Sequence, residues 1–214
     1  MKISLMCTDK THPVYAYIEE WASKNSAIHE VSIISTTSEL TGGDFLFLIS
    51  ASEIVSPSIR ELYKYTLVLH ASDLPNGKGW SPHIWEIING KTQITLSLIE
   101  ALEKVDTGDI WFKKVLNIGK HWLWYEINHC LFSAEIQLIE KAINEHNEVK
   151  PIHQPEIKSP SYYRKRTPAD SEVNPEASIS SQFNLIRVCD PNRYPAYMKL
   201  YGHKYKIILE KIDE

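Results

Sequence analysis

Cysteine is scarce in this sequence, and the three present, Cys7, Cys130 and Cys189, stand far apart. They are odd in number and form no CxxC pair, which argues against a disulfide framework and against a cysteine-built zinc site. No metal ligands are therefore assigned. Long apolar runs are missing too. None approaches the ~18 residues that a membrane-spanning helix needs. The opening stretch Met1–Asp9 lacks the apolar core of a signal peptide. A reducing, cytoplasmic setting with no membrane partner is expected. Nor is there an excess of positive charge: 23 Lys and Arg face 27 Asp and Glu, for a net charge of −4. Nonspecific binding to a phosphate backbone normally needs a basic surface, so no nucleic-acid partner is expected. No internal repeat or low-complexity tract is visible.

What is present is ordinary globular material. The chain has 214 residues, 43% apolar and 23% charged, enough to bury a sizeable core. Short apolar segments at Lys2–Met6, Val31–Ile34, Phe45–Ile49 and Leu67–Leu69 predict strands. The continuous run Phe45–Ile49 suits a central strand buried on both faces. Helical spacings at 13–24, 57–63 and 82–89 fall between or after them. Alternating strands and helices argue for a parallel α/β sheet with crossovers. Ile94–Ile99 and Ile110–Leu116 read as two further strands. Residues 122–147 read as a long amphipathic helix with Leu123, Ile127, Leu131, Ala134, Leu138 and Ala142 on one face. Composition shifts near Val149. Residues 150–176, rich in Pro, Ser and charge and without clear periodicity, read as a linker or an ordered surface arm. A helix over 178–188 and a hairpin of 197–201 with 205–209, turning at Gly202-His203, complete the chain. This divides it into 1–148, the main unit, and 149–214, an arm with a small hairpin-containing region.

Two motifs, 36 residues apart at their key side chains, carry the chemistry. The first is His70-Ala-Ser-Asp-Leu-Pro-Asn-Gly-Lys-Gly-Trp-Ser-Pro82. The second is Val105-Asp-Thr-Gly-Asp-Ile110. His70 closes a buried strand, where open parallel sheets place their ligands. A carboxylate beside an imidazole can orient the ring and support proton transfer or oxyanion binding at a carbonyl. Singly, a His at a strand end is more often a capped structural residue, and Asp106 reads as a turn-stabilising Asx residue.

Together the motifs resemble those of the formyltransferase family, whose members move a formyl group from N10-formyltetrahydrofolate to an amine. The resemblance is best over residues 40–145. The stretches 162–171, 182–188 and 193–197 resemble the C-terminal part of the sugar-modifying members.

The resemblance implies a Rossmann-like, mostly parallel sheet with flanking helices and a small C-terminal helix and β-hairpin appendix. It implies His70 and Asp106 as catalytic residues. N10-formyltetrahydrofolate would be the donor, with its pterin against Ser50, Ala51, Ser52 and Ile54 on one loop and Ala101, Leu102 and Val105 on another. The acceptor expected is the amine of a nucleotide-linked amino sugar, met by Asn76, Lys78, Gly79, Trp80, Ser81, Arg164 and Arg166. The Arg-Lys-Arg run also reads as a solvated surface. Residues 150–214 would serve the acceptor or a subunit contact, as in a homodimer. The family carries Asn two residues before its His; here that position is Val68. Asn76, Ser72, a backbone amide or protonated His70 are left to take the missing donor's place. Other readings stay open: a methionyl-tRNA type formyltransferase, a formyl-folate hydrolase, or a non-catalytic folate or nucleotide-sugar binding protein.

Overall fold

The computed structural model describes residues 1–212 and builds them around one six-stranded sheet. Its strands are β1 (Lys2–Met6), β2 (Glu30–Ile34), β3 (Gly43–Leu48), β4 (Tyr63–His70), β6 (Gln93–Glu100) and β7 (Ile110–Asn117). They lie in the order β2-β1-β3-β4-β6-β7. The β1–β2, β1–β3 and β3–β4 pairs are parallel, while β4–β6 and β6–β7 are antiparallel. The expected α/β class and mostly parallel sheet are thus observed. The apolar segments 94–99 and 110–116 are strands, but they run against their neighbours, a direction that periodicity does not encode.

The helices are α1 (Tyr15–Asn25), α2 (Pro57–Arg60), α3 (Pro82–Ile88), α4 (Trp124–Glu145) and α5 (Ile179–Arg187). Each of the first three has proline at or near its start, where a missing N–H costs no intrahelical bond. On one sheet face Ile3, Leu5, Phe45, Phe47, Leu67 and Leu69 pack beneath Ile18 and Trp21 of α1 and the Ile127, Leu131, Leu138 stripe of α4. Each such side chain contributes about 1.5–3 kcal/mol by leaving water. On the other face the alternate residues Leu46 and Leu48 join Leu40, Val55 and Tyr63 in a smaller cluster. The run 45–49 is therefore buried on both faces.

Beyond α4 the chain does not leave the body. Val173, Ile186, Val188, Cys189 and Ala196 enter the main core. The arm carries β8 (Tyr162–Tyr163), which pairs in parallel with β5 (Lys78–Gly79). The hairpin is β9 (Ala196–Leu200) with β10 (His203–Ile207). Its turn is Tyr201-Gly202, one residue earlier than expected, with φ of 50° and 78°. Both residues of such a turn need positive φ, and His203 is left free to open β10. Among the described residues no helix is long and apolar enough to cross a membrane.

Candidate active site

Successive side chains alternate across a strand. On β4, Leu67 and Leu69 go to the main core, so Val68 and His70 face the opposite side. There Val68 meets Leu74, Ile99 and Ile110. The β6–β7 connection, residues 101–109, bends back over this same face. Asp106 arrives from it with φ of 57°, a left-handed backbone that Asp tolerates better than most residues. Because β6 is antiparallel to β4, Asp106 does not come from a neighbouring carboxyl strand end; its loop doubles back to reach His70.

The two side chains are both largely buried and meet at 3.4 Å, His70 Nδ1 to Asp106 Oδ1. His70 Nε2 lies 2.9 Å from the Gly77 carbonyl. A carbonyl only accepts, so Nε2 is the donor. Nδ1 faces a carboxylate, which when ionised also only accepts. The ring donates to both neighbours only with both nitrogens protonated. The second oxygen of Asp106 accepts from the Gly79 N–H at 2.9 Å. The carboxylate thus ties the Gly77–Gly79 loop to the imidazole.

That loop is braced from the arm. Gly77 N donates to Ser161 Oγ (2.8 Å), Lys78 N to Ser161 O (3.0 Å) and Trp80 N to Tyr163 O (2.9 Å). Gly79 has φ of 94°, and a Cβ there would lie 2.2 Å from Tyr163 O. Only glycine fits so close to another backbone.

The other residues inferred from the motifs are distributed as follows. Ser50, with φ of 51°, and Ser52 are exposed on the loop after β3; Ser52 Oγ and Thr8 Oγ1 are 3.0 Å apart. Ala51 and Ala101 border the smaller cluster beside Val68. Ile54, Leu102 and Val105 are exposed apolar side chains on the two loops. Asn76 and Ser81 are exposed, and Ser72 is buried with Oγ unpartnered among the described residues. Trp80 is partly exposed, with Lys165 Nζ 4.6 Å from its ring centre. Trp85 donates to Arg164 O at 3.0 Å and lies under the Arg164 guanidinium at 5.0 Å. Arg164 is paired with Asp170, whose carboxyl this contact holds well below its ordinary range. Arg166 donates to Asp170 O and Ser171 Oγ, both at 3.1 Å. Both arginines thus already have partners within the arm.

Sequence reasoning passed over several contributors. Gln154, Ser161 and Tyr163 hold the two loops; the first two lie in the aperiodic stretch outside the resembling segments, and Tyr163 lies within 162–171 but was assigned no role. His83, on α3, is half-buried, and burial first, then nearby His12, His70 and Arg166, push its pKa down to about 3. Among the described residues no group of three or more His, Cys, Asp or Glu could hold a metal ion.

No family model matches the chain. Its sequence is 28% identical over 185 residues to a methionyl-tRNA formyltransferase of Clostridium acetobutylicum, covering 85% of this chain and 58% of that protein. Against that of Rickettsia typhi the identity is 32% over 169 residues, 78% of this chain and 54% of the relative. The chain thus spans little more than half the length of these curated relatives. Among solved structures, a methionyl-tRNA formyltransferase from Clostridium thermocellum superposes with a TM-score of 0.81 at 23% identity, over 95% of this chain and 90% of that one. A 4-N formyltransferase from Francisella tularensis gives 0.71 at 17%, over 99% and 98%. HypX from Aquifex aeolicus in complex with tetrahydrofolic acid gives 0.76 at 19%, over 95% and 36%. Sequence and architecture together place this chain among proteins of the formyltransferase fold.

Proposed function

We propose that this protein transfers a formyl group from N10-formyltetrahydrofolate to the amine of a nucleotide-linked amino sugar. The observation that carries the reading is the buried His70–Asp106 pair, 3.4 Å apart and joined through Asp106 to the Gly77–Gly79 loop. The amine lone pair would attack the formyl carbon. The new C–N bond forms first, the bond from the formyl carbon to folate N10 breaks afterwards, and the proton lost by the amine ends on N10. A tetrahedral oxyanion develops between these events and needs a donor or a positive charge. His70 supplies that role, and Asp106 orients the ring and helps pass the amine's proton.

The exposed apolar side chains Ile54, Leu102 and Val105 lie on the loops assigned to the pterin. They fit a flat ring that takes its polar contacts from main chain. The tetrahydrofolate complex of the similarly folded HypX supports a folate donor. On the acceptor side, Trp80 offers a ring face and Lys78 a cation. Arg164 and Arg166 would have to share or exchange their arm partners to meet a diphosphate. The sugar reading draws support from the Francisella 4-N formyltransferase.

A second reading has its own support. The curated relatives act on methionyl-tRNA by name, and an acceptor of that class would use the same His70 and Asp106. One assay separates the readings. The protein is given N10-formyltetrahydrofolate with a panel of nucleotide-linked amino sugars, or with methionyl-tRNA, and mass spectrometry follows the gain of one formyl group. Formylation of a sugar amine is the expected result. Formylation of the tRNA alone would replace the first reading with the second. Formate release without any acceptor would make the protein a hydrolase, and donor binding without turnover would make it a binding protein.

A further inference from the structure

Asp106 can serve His70 only if its loop stays folded over the sheet face. Most of that loop gives little purchase: Leu102, Glu103, Lys104 and Val105 are all exposed. The loop's own Thr107 Oγ1 donates to Lys104 O at 2.6 Å, which shapes the turn without anchoring it. The anchor comes from the arm. The buried side chain of Gln154 donates through one nitrogen to two carbonyls, Asp106 O at 3.2 Å and Gly108 O at 2.8 Å. These carbonyls lie on either side of Thr107, so the clamp fixes the 106–107 and 108–109 peptides. The position of Gln154 is itself fixed, because Ile152 exchanges two backbone hydrogen bonds with Ile110 at 2.8 and 2.9 Å.

We infer that Gln154 is the positioning residue for Asp106, setting where its carboxylate stands between His70 Nδ1 and Gly79 N. The chemistry selects this side chain. A primary amide carries two N–H donors on one atom, as two carbonyl acceptors require. Glutamate would set one acceptor oxygen against both carbonyls. Asparagine is one methylene short. Gln154 Oε1 is buried and without a partner among the described residues. The amide therefore keeps its orientation for the sake of the two donors alone.

The catalytic half of this inference rests on the formyl-transfer reading; the structural half does not. The test uses the full chain with Gln154→Met, which keeps the shape and removes both donors, and with Gln154→Glu, which reverses them. Amide hydrogen exchange reads Gly79, whose N–H is held by Asp106. Gly77, held by Ser161, is the internal control. In both variants Gly79 should exchange ~10-fold faster or more, the scale of one charge-assisted hydrogen bond, while Gly77 stays within about 3-fold. With an acceptor identified, kcat should fall ~10- to 100-fold with KM for the formyl donor within about 3-fold, as expected for a displaced reacting group. Unchanged Gly79 protection overturns the proposal, as does unchanged kcat. So does loss of protection across the whole chain in both variants, since that would make Gln154 a general folding residue. If no acceptor is formylated by the wild type, the functional reading fails, and the Gly79 and Gly77 rates still decide the positioning.

Discussion

The sheet strands β3 and β4 and the arm 150–176 meet at the same site but are held by different forces. Phe45, Phe47, Leu67 and Leu69 are fixed by apolar burial beneath α1 and α4. The arm has few such anchors at the site. Its order comes from backbone pairing: Ile152 with Ile110, β8 with β5, Ser161 and Tyr163 with the Gly77–Trp80 loop. The sheet presents His70, while the arm sets the two loops that complete its surroundings. A candidate site can thus draw one side chain, His70, from the best-packed part of a molecule and the placement of its neighbours from a much less packed one.

The comparison breaks most sharply at the two side chains proposed to react. If the sheet face and its folded-back loop supply the chemistry, His70→Ala and Asp106→Ala should each lower turnover ~10²-fold or more, the scale of general acid–base groups. Binding of the formyl donor, measured by calorimetry, should largely survive. Near wild-type turnover in either variant would show that its side chain has another role.

A single methyl group tests the arm. Gly79→Ala would place a Cβ 2.2 Å from Tyr163 O at a φ of 94°. The β5–β8 pair must then open or the backbone must shift, at a cost of roughly 1–3 kcal/mol. Limited proteolysis should cut within 155–165 faster than in wild type. Thermal melting of the core should change by only a few degrees, because the apolar clusters are untouched. An unaltered arm would mean that the backbone pairing is looser than the contacts imply.

The two regions also differed in how far the sequence revealed them. Every apolar segment from Lys2 to Leu116 that was read as a strand is one, because burial selects residues by face and leaves a period. Strand direction leaves none, so the antiparallel course of β6 was not visible, and neither was the return of Asp106 over the sheet. His70 and Asp106 could be singled out because their flanking Gly, Pro and Asp residues form recognisable motifs. Gln154 and Ser161 could not. A polar residue whose partners are main-chain carbonyls and amides carries no mark in the sequence around it. The hairpin lay between the two cases: its strands were legible, but Tyr201 at positive φ displaced the turn by one residue.

The well-packed region carries a pH liability. Glu135 on α4 is buried, with Oε2 unpartnered among the described residues, and burial pushes its pKa up to about 8. A carboxyl whose pKa is higher folded than unfolded is fully compatible with folding below pH ~4.5, and the chain loses stability as pH rises from there through about 8. His12 and His83 have the opposite sense. Burial lowers them to about 4 and about 3, so they cost stability as pH falls below ~6.5. Glu135→Gln should therefore flatten the alkaline side only. Its melting temperature should exceed wild type at pH 8 and match it near pH 4. An equal shift at both pH values would assign the effect to packing.

The smallest expected effect lies at Val68, where the sheet itself departs from the resemblance. Its side chain shares the His70 face and packs against Leu74, Ile99 and Ile110. Val68→Asn would supply the amide that the formyltransferase pattern places there, but within an apolar wall. A buried amide without partners costs ~1–3 kcal/mol, which offsets what a new oxyanion donor could add. Activity should then change less than ~10-fold, since one such hydrogen bond and one such penalty nearly cancel. A gain above ~100-fold exceeds what a typical charged hydrogen bond supplies. It would mean that the wild-type sheet lacks an essential donor, and it would shift the balance from transferase toward a protein that holds folate or sugar without turning it over. A loss above ~100-fold would show that the apolar wall is needed to seat His70, extending the sheet's role from presenting the imidazole to setting its orientation.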